Sequence, residues 1–132
     1  MKTSPTIWAG RILTGLFALF MLGASIAPKF LDTTVDEAAM AHLGWPIEHY
    51  RLIGIIELSC LVLYLFPRTA VMGAALMTGL LGGAVATHLR VNDPMFTHTL
   101  FGVYLGLIMW GGLWLRDDRL RAVFPLRAAV IE

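Results

Sequence analysis

The chain has 132 residues, of which 58% are hydrophobic and 14% are charged, and its formal net charge is +1. Soluble domains contain about 45–50% apolar and about 25% charged residues, and so short a chain cannot bury this much apolar surface in a soluble core. The composition therefore excludes an ordinary soluble domain and predicts a single all-α, polytopic membrane domain. No basic patch interleaved with aromatic residues suggests a nucleic-acid partner.

The first apolar run covers residues 7–27, and we expect it to cross the membrane with Arg11 snorkelling to the interface. Lys2 before an apolar segment that ends in Ser25-Ile26-Ala27 also resembles a secretory signal peptide with its cleavage site. Pro28 would follow the scissile bond, where signal peptidase tolerates proline poorly. A retained helix is therefore the preferred interpretation.

A polar stretch follows, and within it residues 33–43 predict a short helix in the first outer loop. Thr33 or Thr34 can cap this helix, and Gly44 can end it. Its apolar side chains fall on one face, which is typical of a helix that lies on the membrane surface.

Three further apolar segments, at residues 51–66, 69–89 and 98–115, predict three more spans. The first of these gives only about 24 Å of helix for a hydrocarbon core roughly 30 Å thick. Residues 116–132 form a polar tail. The expected architecture is a four-transmembrane-helix bundle in one domain, residues 1–132.

Four spans place both termini and the turn between the second and third spans on one side of the membrane. Most of the basic residues lie on that side: Lys2, Arg11, Arg68, Arg116, Arg119, Arg121 and Arg127. The other side holds Lys29, Arg51 and Arg90. The positive-inside rule therefore predicts that both termini are cytoplasmic.

An ionisable side chain within a span costs roughly 2.5–3.5 kcal/mol on insertion scales, which makes it a candidate functional residue. Glu57 lies inside the second span, and His88 ends the third. The topology brings the candidate residues of a ligand-binding or proton-exchanging pocket to the outer half of the bundle: Glu57, His88, Arg90, His98 and Lys29. The inner half is expected to be apolar. Structural roles are the alternative for each residue, namely an ion pair for Glu57, a helix cap for His88, and interfacial anchoring for the others.

Glycines at small-residue spacing predict close helix packing. Gly79 and Gly83 form one G-x-x-x-G pattern, Gly102 and Gly106 form another, and Gly54 lies one turn before Glu57.

The chain has one cysteine, Cys60, and therefore no thiol pair for a disulfide or a C-x-x-C site. It also has no nucleotide motif and no clear metal site, which argues against independent catalysis. Haem ligation by His88 and His98 is conceivable but disfavoured, because both lie near one end of the bundle. The expectation is no metal and no firmly implied cofactor, with a quinone as the possible exception.

Several short motifs resemble those of the DoxX-like family of small four-helix bacterial membrane proteins. They are Leu43-Gly44-Trp45-Pro46, Gly54-x-x-Glu57-Leu58, Leu65-Phe66-Pro67-Arg68, and Gly83-Ala84-x-x-Thr87-His88-Leu89 followed by Asp93-Pro94. The resemblance implies a bacterial inner-membrane location. Because Glu57 and His88 match the motifs of the family, it also implies that they form the functional site. Relatives are associated with thiosulfate:quinone oxidoreduction, with a membrane redox complex that detoxifies thiols and superoxide, and with chaperoning of acetylcholine receptors.

These observations predict an outward-facing Glu57/His88 pocket that binds a lipid-like or quinone-like ligand or a membrane partner. One alternative is a subunit of a quinone-linked membrane oxidoreductase complex. A second is a small transporter, which would have to be a homo-oligomer because four short helices leave little room for a path. The lipid bilayer is the expected surrounding in every case.

Overall fold

The computed structural model of the protein describes residues 4–31 and 37–124. Within these ranges it contains helices and no β-strand, so the all-α prediction is confirmed. The helices are α1 (Pro5–Leu31), α2 (Glu37–Leu43), α3 (Tyr50–Leu65), α4 (Ala70–Arg90), α5 (Met95–Arg116) and α6 (Asp118–Val123). Two of them contain π-helical stretches, Met21–Ile26 in α1 and Met95–Thr99 at the start of α5, and a 3-10 turn, Ile47–His49, precedes α3.

Three helices are long and apolar enough to cross a membrane: α1 with 27 residues, α4 with 21 and α5 with 22. This indicates a membrane protein. The helix α3, which corresponds to the predicted second span, has only 16 residues.

The helix α1 extends to Leu31, beyond the predicted end of the first span at residue 27. Proline cannot donate a backbone hydrogen bond and usually ends or kinks a helix. Here the π-helical stretch ends directly before Ala27, whose N–H donates to the Leu22 carbonyl, and the helix then continues through Pro28. Lys29 therefore lies on α1 itself and not in a loop.

The short helix predicted over residues 33–43 is present as α2 over its described residues, Glu37–Leu43. It ends at Gly44, whose φ of +79° is a left-handed conformation that favours glycine, as the sequence predicted. The proposed caps Thr33 and Thr34 lie outside the described residues.

The bundle is held together by contacts of α1 with α5, α3 with α4, and α4 with α5. Its core is built from large side chains that are almost completely buried, including Phe17, Tyr64, Met77 and Leu113. The Phe17 and Tyr64 rings meet edge to face with centroids 5.5 Å apart.

The closest contacts between helices occur at Gly73 and Gly10, which lie outside the G-x-x-x-G patterns. A Cβ on Gly73 of α4 would lie 2.2 Å from the backbone nitrogen of Tyr64 in α3. A Cβ on Gly10 of α1 would lie 2.7 Å from the carbonyl oxygen of Gly112 in α5. Real Cβ atoms do not approach backbone this closely, so glycine permits both helix pairs to pack.

The glycines singled out in the sequence have different surroundings. Gly54 and Gly102 lie at close approaches, with a Cβ 2.9 Å from the Lys29 Cβ and 3.0 Å from the Leu81 carbonyl oxygen, respectively. Gly106 has ordinary van der Waals space around it. Gly79 and Gly83 have no atom within 4 Å of a Cβ position. A packing role for these two within the chain is therefore not seen.

The end of the bundle opposite Glu57, which was expected to be apolar, contains a polar network. Arg116, at the end of α5, donates from Nε to the Oγ1 of Thr14 in the first half of α1 over 3.0 Å. Its Nη2 donates to the Tyr64 carbonyl oxygen over 3.0 Å. The Tyr64 hydroxyl donates to the Met109 carbonyl over 2.6 Å. This network was missed because Thr14 and Tyr64 do not interrupt an apolar run, and because Arg116 follows the last apolar residue of its span yet folds back into the bundle.

Candidate functional site

A cavity of about 760 Å³ lies between the end of α1, α3, α4 and the start of α5, with α2 contributing to its wall. Four of the five predicted pocket residues line it: Lys29, Glu57, His88 and His98. Gly79 and Gly83 also line it, which accounts for the open space around them. The rest of the wall is largely apolar and aromatic, as is common in pockets for small amphiphilic molecules.

The Glu57 carboxylate is buried, with 8% of the residue exposed, and it is part of a polar cluster. The Ser25 hydroxyl donates to Glu57 Oε2 over 2.9 Å, and Lys29 Nζ donates to the same oxygen over 3.3 Å. Lys29 Nζ also donates to the Ser25 carbonyl oxygen over 2.8 Å and lies 5.5 Å from the centre of the Tyr50 ring. The buried charge of Glu57 is thus balanced by a lysine on a neighbouring helix.

The local sequence explains how this cluster is assembled. Ser25 and Lys29 are four residues apart, a spacing that puts two side chains on the same side of a helix. Gly54 leaves room for the Lys29 side chain, since a Cβ there would lie 2.9 Å from the lysine Cβ. Ser25 was not predicted as a site residue; its spacing from Lys29 is the signal that could have identified it.

His88 also lines the cavity, but its partners differ from those of Glu57. Its Nδ1 is 2.5 Å from Asp93 Oδ2, and His42 Nε2 from α2 is 2.6 Å from Asp93 Oδ1. The His88 and His98 rings have centroids 6.1 Å apart. Glu57 and His88 therefore line one cavity, but no hydrogen bond joins them in the described structure, where each binds a different set of residues.

In the sequence Asp93 was noted only as part of the Asp93-Pro94 motif, yet its carboxylate connects α2 to the end of α4. Arg90 makes a second connection, because its Nη2 donates to the Leu43 carbonyl oxygen over 3.0 Å. Arg90 does not line the cavity; it holds the end of α2, whose Met40 and Leu43 do line it. His42, Asp93 and Arg90 thus fix the position of α2 over the cavity.

The hydrogen bond from His42, and after it the one from His88, lower the pKa of Asp93 from its ordinary value. A carboxylate with a lowered folded-state pKa contributes stability that is present above its unfolded pKa of about 3.9 and is lost as the pH falls through the folded value. We expect a carbon-13 NMR titration of the Asp93 carboxyl group in the wild type to have its midpoint below the ordinary aspartate pKa. The variant His42→Ala should move the midpoint upward; an unchanged midpoint would contradict the His42 contact.

Among the described residues, no group of three or more His, Cys, Asp and Glu side chains is arranged to hold a metal ion. Cys60 is buried in the core. The polar groups that line the cavity include the Ser25–Lys29–Glu57 cluster and the imidazoles of His49, His88 and His98.

Comparison with known proteins agrees with the motifs. No curated protein and no solved structure matches the chain. The family model of the DoxX-like family matches residues 12–112, a range that contains all the cavity-lining polar residues named above. The chain belongs to the DoxX-like family.

Proposed function

We propose that the protein binds a lipid-like or quinone-like amphiphile in the cavity lined by Glu57 and His88. The observation that supports this most is the cavity itself: about 760 Å³ of space with mostly apolar walls and a few polar groups among them. Pockets for small organic ligands have volumes of about 300–1,000 Å³ and this kind of lining. An amphiphile fits because its tail can contact the apolar wall while its polar head meets the charged cluster.

The chemistry of the cluster suits a molecule with carbonyl or hydroxyl oxygens. Lys29 and Ser25 are donors, so they can stabilise a quinone carbonyl oxygen, and the Glu57 carboxylate can accept a bond from a hydroxyl group. The ring nitrogens of His88 and His98 can donate a hydrogen bond to such a group or accept one from it. Binding is the proposed function; the groups also permit proton exchange with the bound head.

The proposal includes a topology of four spans in a bacterial inner membrane with both termini cytoplasmic. Its support is the distribution of charge between the ends of the bundle. Arg11 at the start of α1, Arg68 after α3 and Arg116 at the end of α5 border one shared cavity. Lys29 lies at the opposite end of α1. This arrangement requires α3 to return the chain across the bundle, as a short fourth span extended by the 3-10 turn Ile47–His49. In this topology α2 lies at the outer membrane interface.

The first experiment is mass spectrometry of the lipids extracted from gently purified wild type and from Glu57→Gln. We expect an amphiphile at about one per chain in the wild type and at least about tenfold less in Glu57→Gln, because a hydrogen bond to a charged group contributes about 1.5–3 kcal/mol. The matched control is Glu48→Gln, which removes the same charge from an exposed carboxylate that does not line the cavity. It should retain the amphiphile.

Glu57→Gln also leaves the Lys29 ammonium without its carboxylate, which could alter the cavity indirectly. The double variant Lys29→Gln/Glu57→Gln is neutral at both positions and separates these effects. We expect it to lose the amphiphile as well, because both polar contacts are weakened. If all four proteins carry the same bulk lipids in the same amounts, the binding proposal is wrong and Glu57 has a structural role.

A further inference from the structure

A second cavity, of about 570 Å³, lies at the end of the bundle opposite Glu57. Arginines from three separate parts of the chain line it: Arg11 at the start of α1, Arg68 in the turn between α3 and α4, and Arg116 and Arg119 around the junction of α5 and α6. The fold therefore brings together four guanidinium groups that are far apart in the sequence.

The Arg116 guanidinium is bound only to neutral groups in the described structure. It donates to the Thr14 hydroxyl and to the Tyr64 carbonyl, both over 3.0 Å, and lies 5.1 Å from the centre of the Tyr64 ring. These contacts fix the position of the guanidinium but do not cancel its charge. A partly buried positive charge held in this way favours an anion nearby.

Two aspartates, Asp117 and Asp118, also line the cavity, so four arginines stand against two carboxylates in its wall. The Asp117 carboxylate accepts the backbone N–H groups of Arg119 and Leu120, and Asp118 forms an ion pair with Arg121. Within residues 4–31 and 37–124, none of the four cavity arginines forms an ion pair. The cavity consequently has an excess of positive charge.

We propose that this cavity binds the phosphate group of an anionic ligand, carried either by a membrane phospholipid or by a soluble phosphate. Guanidinium groups present paired N–H donors that match phosphate oxygens, and several of them around one cavity can contact one phosphate from different sides. A basic pocket at the ends of transmembrane helices is also well placed for an anionic headgroup. Leu65 and Phe66, which directly precede the lining residues Pro67 and Arg68, are exposed apolar side chains against which acyl chains can lie.

This site is independent of the amphiphile cavity, because it lies at the other end of the bundle and shares no lining residue with it. It also does not depend on which end of the protein faces the cytoplasm. Failure of one proposal therefore leaves the other intact.

The test uses native mass spectrometry of the purified full-length chain titrated with phosphatidylglycerol, with phosphatidylcholine as the zwitterionic comparison. We expect saturable binding of phosphatidylglycerol to the wild type and about tenfold weaker binding to Arg68→Gln, with a further loss in Arg68→Gln/Arg119→Gln. Both side chains are exposed, so the variants should fold. Arg51→Gln is the matched control, since Arg51 is an exposed arginine that lies outside this cavity, and it should bind like the wild type.

Competition with inorganic phosphate identifies the source of the phosphate. If inorganic phosphate displaces phosphatidylglycerol from the wild type, the phosphate group alone is sufficient and a soluble ligand is supported. If it does not, and phosphatidylcholine binds more weakly than phosphatidylglycerol, the lipid headgroup is the ligand. The proposal is overturned if Arg68→Gln/Arg119→Gln binds phosphatidylglycerol like the wild type, or if Arg51→Gln loses as much affinity as Arg68→Gln.

Discussion

Replacing Gly73 with alanine is expected to destabilise the bundle by about 3 kcal/mol or more, at the upper end of what overpacking a core costs. The added Cβ would lie 2.2 Å from the Tyr64 nitrogen and 2.7 Å from the Leu63 carbonyl carbon. These are backbone atoms and cannot rotate away, so α3 and α4 would have to separate. Tyr64 is completely buried, and its displacement would also weaken its bond to the Met109 carbonyl. Thermal unfolding in detergent, followed by circular dichroism, measures the effect.

Gly82→Ala is the matched control for this substitution, because it makes the same change on the same helix. No atom lies within 4 Å of the Cβ position at Gly82. Alanine is favoured over glycine in a helix by about 1 kcal/mol, so this variant should unfold at the same temperature as the wild type or higher. Equal unfolding temperatures for Gly73→Ala and Gly82→Ala would contradict the close contact of α3 with α4.

The glycines show where sequence reasoning about this fold stops. The G-x-x-x-G spacing of Gly79 and Gly83 places both on one side of α4, but it does not reveal what lies opposite that side. The structure has a cavity there. Gly73 and Gly10, which form the tight contacts, stand in no such spacing pattern. Their role depends on which backbone faces them, and this is a property of the assembled bundle.

The sequence was sufficient to predict which end of the bundle holds the candidate site. It was not sufficient to predict which side chains of the site bind each other. Helix direction and rise per residue were sufficient to bring Lys29, Glu57, His88 and His98 to one end of the bundle, and the structure places all four around one cavity. Which side chains bind each other depends on helix rotation and rotamer, which hydropathy does not contain. Asp93 was missed for this reason, because only the assembled bundle shows that two imidazoles meet its carboxylate.

The second large effect is expected from Gly83→Leu, a substitution designed to fill the amphiphile cavity without disturbing the bundle. Gly83 lines the cavity, and no atom lies within 4 Å of its Cβ position. A leucine side chain there can extend into space that the ligand would otherwise occupy. Displacing this leucine from the cavity costs about 1–3 kcal/mol, so the affinity for the amphiphile should fall by about fivefold to about 150-fold. The measurement is the same lipid mass spectrometry as for Glu57→Gln, and this prediction rests on the proposed binding function.

Gly82→Leu separates occupation of the cavity from a general effect of a larger residue on α4. Gly82 is adjacent in sequence and equally open, but it does not line the cavity. Both leucine variants should unfold at or above the wild-type temperature, because leucine is a far better helix former than glycine. Only Gly83→Leu should lose the amphiphile. If Gly82→Leu loses it equally, the ligand is held on the lipid-facing surface of α4; if neither variant loses it, the cavity does not contain the ligand. The paired leucines thus test the location of the bound molecule without altering any charged group of the site.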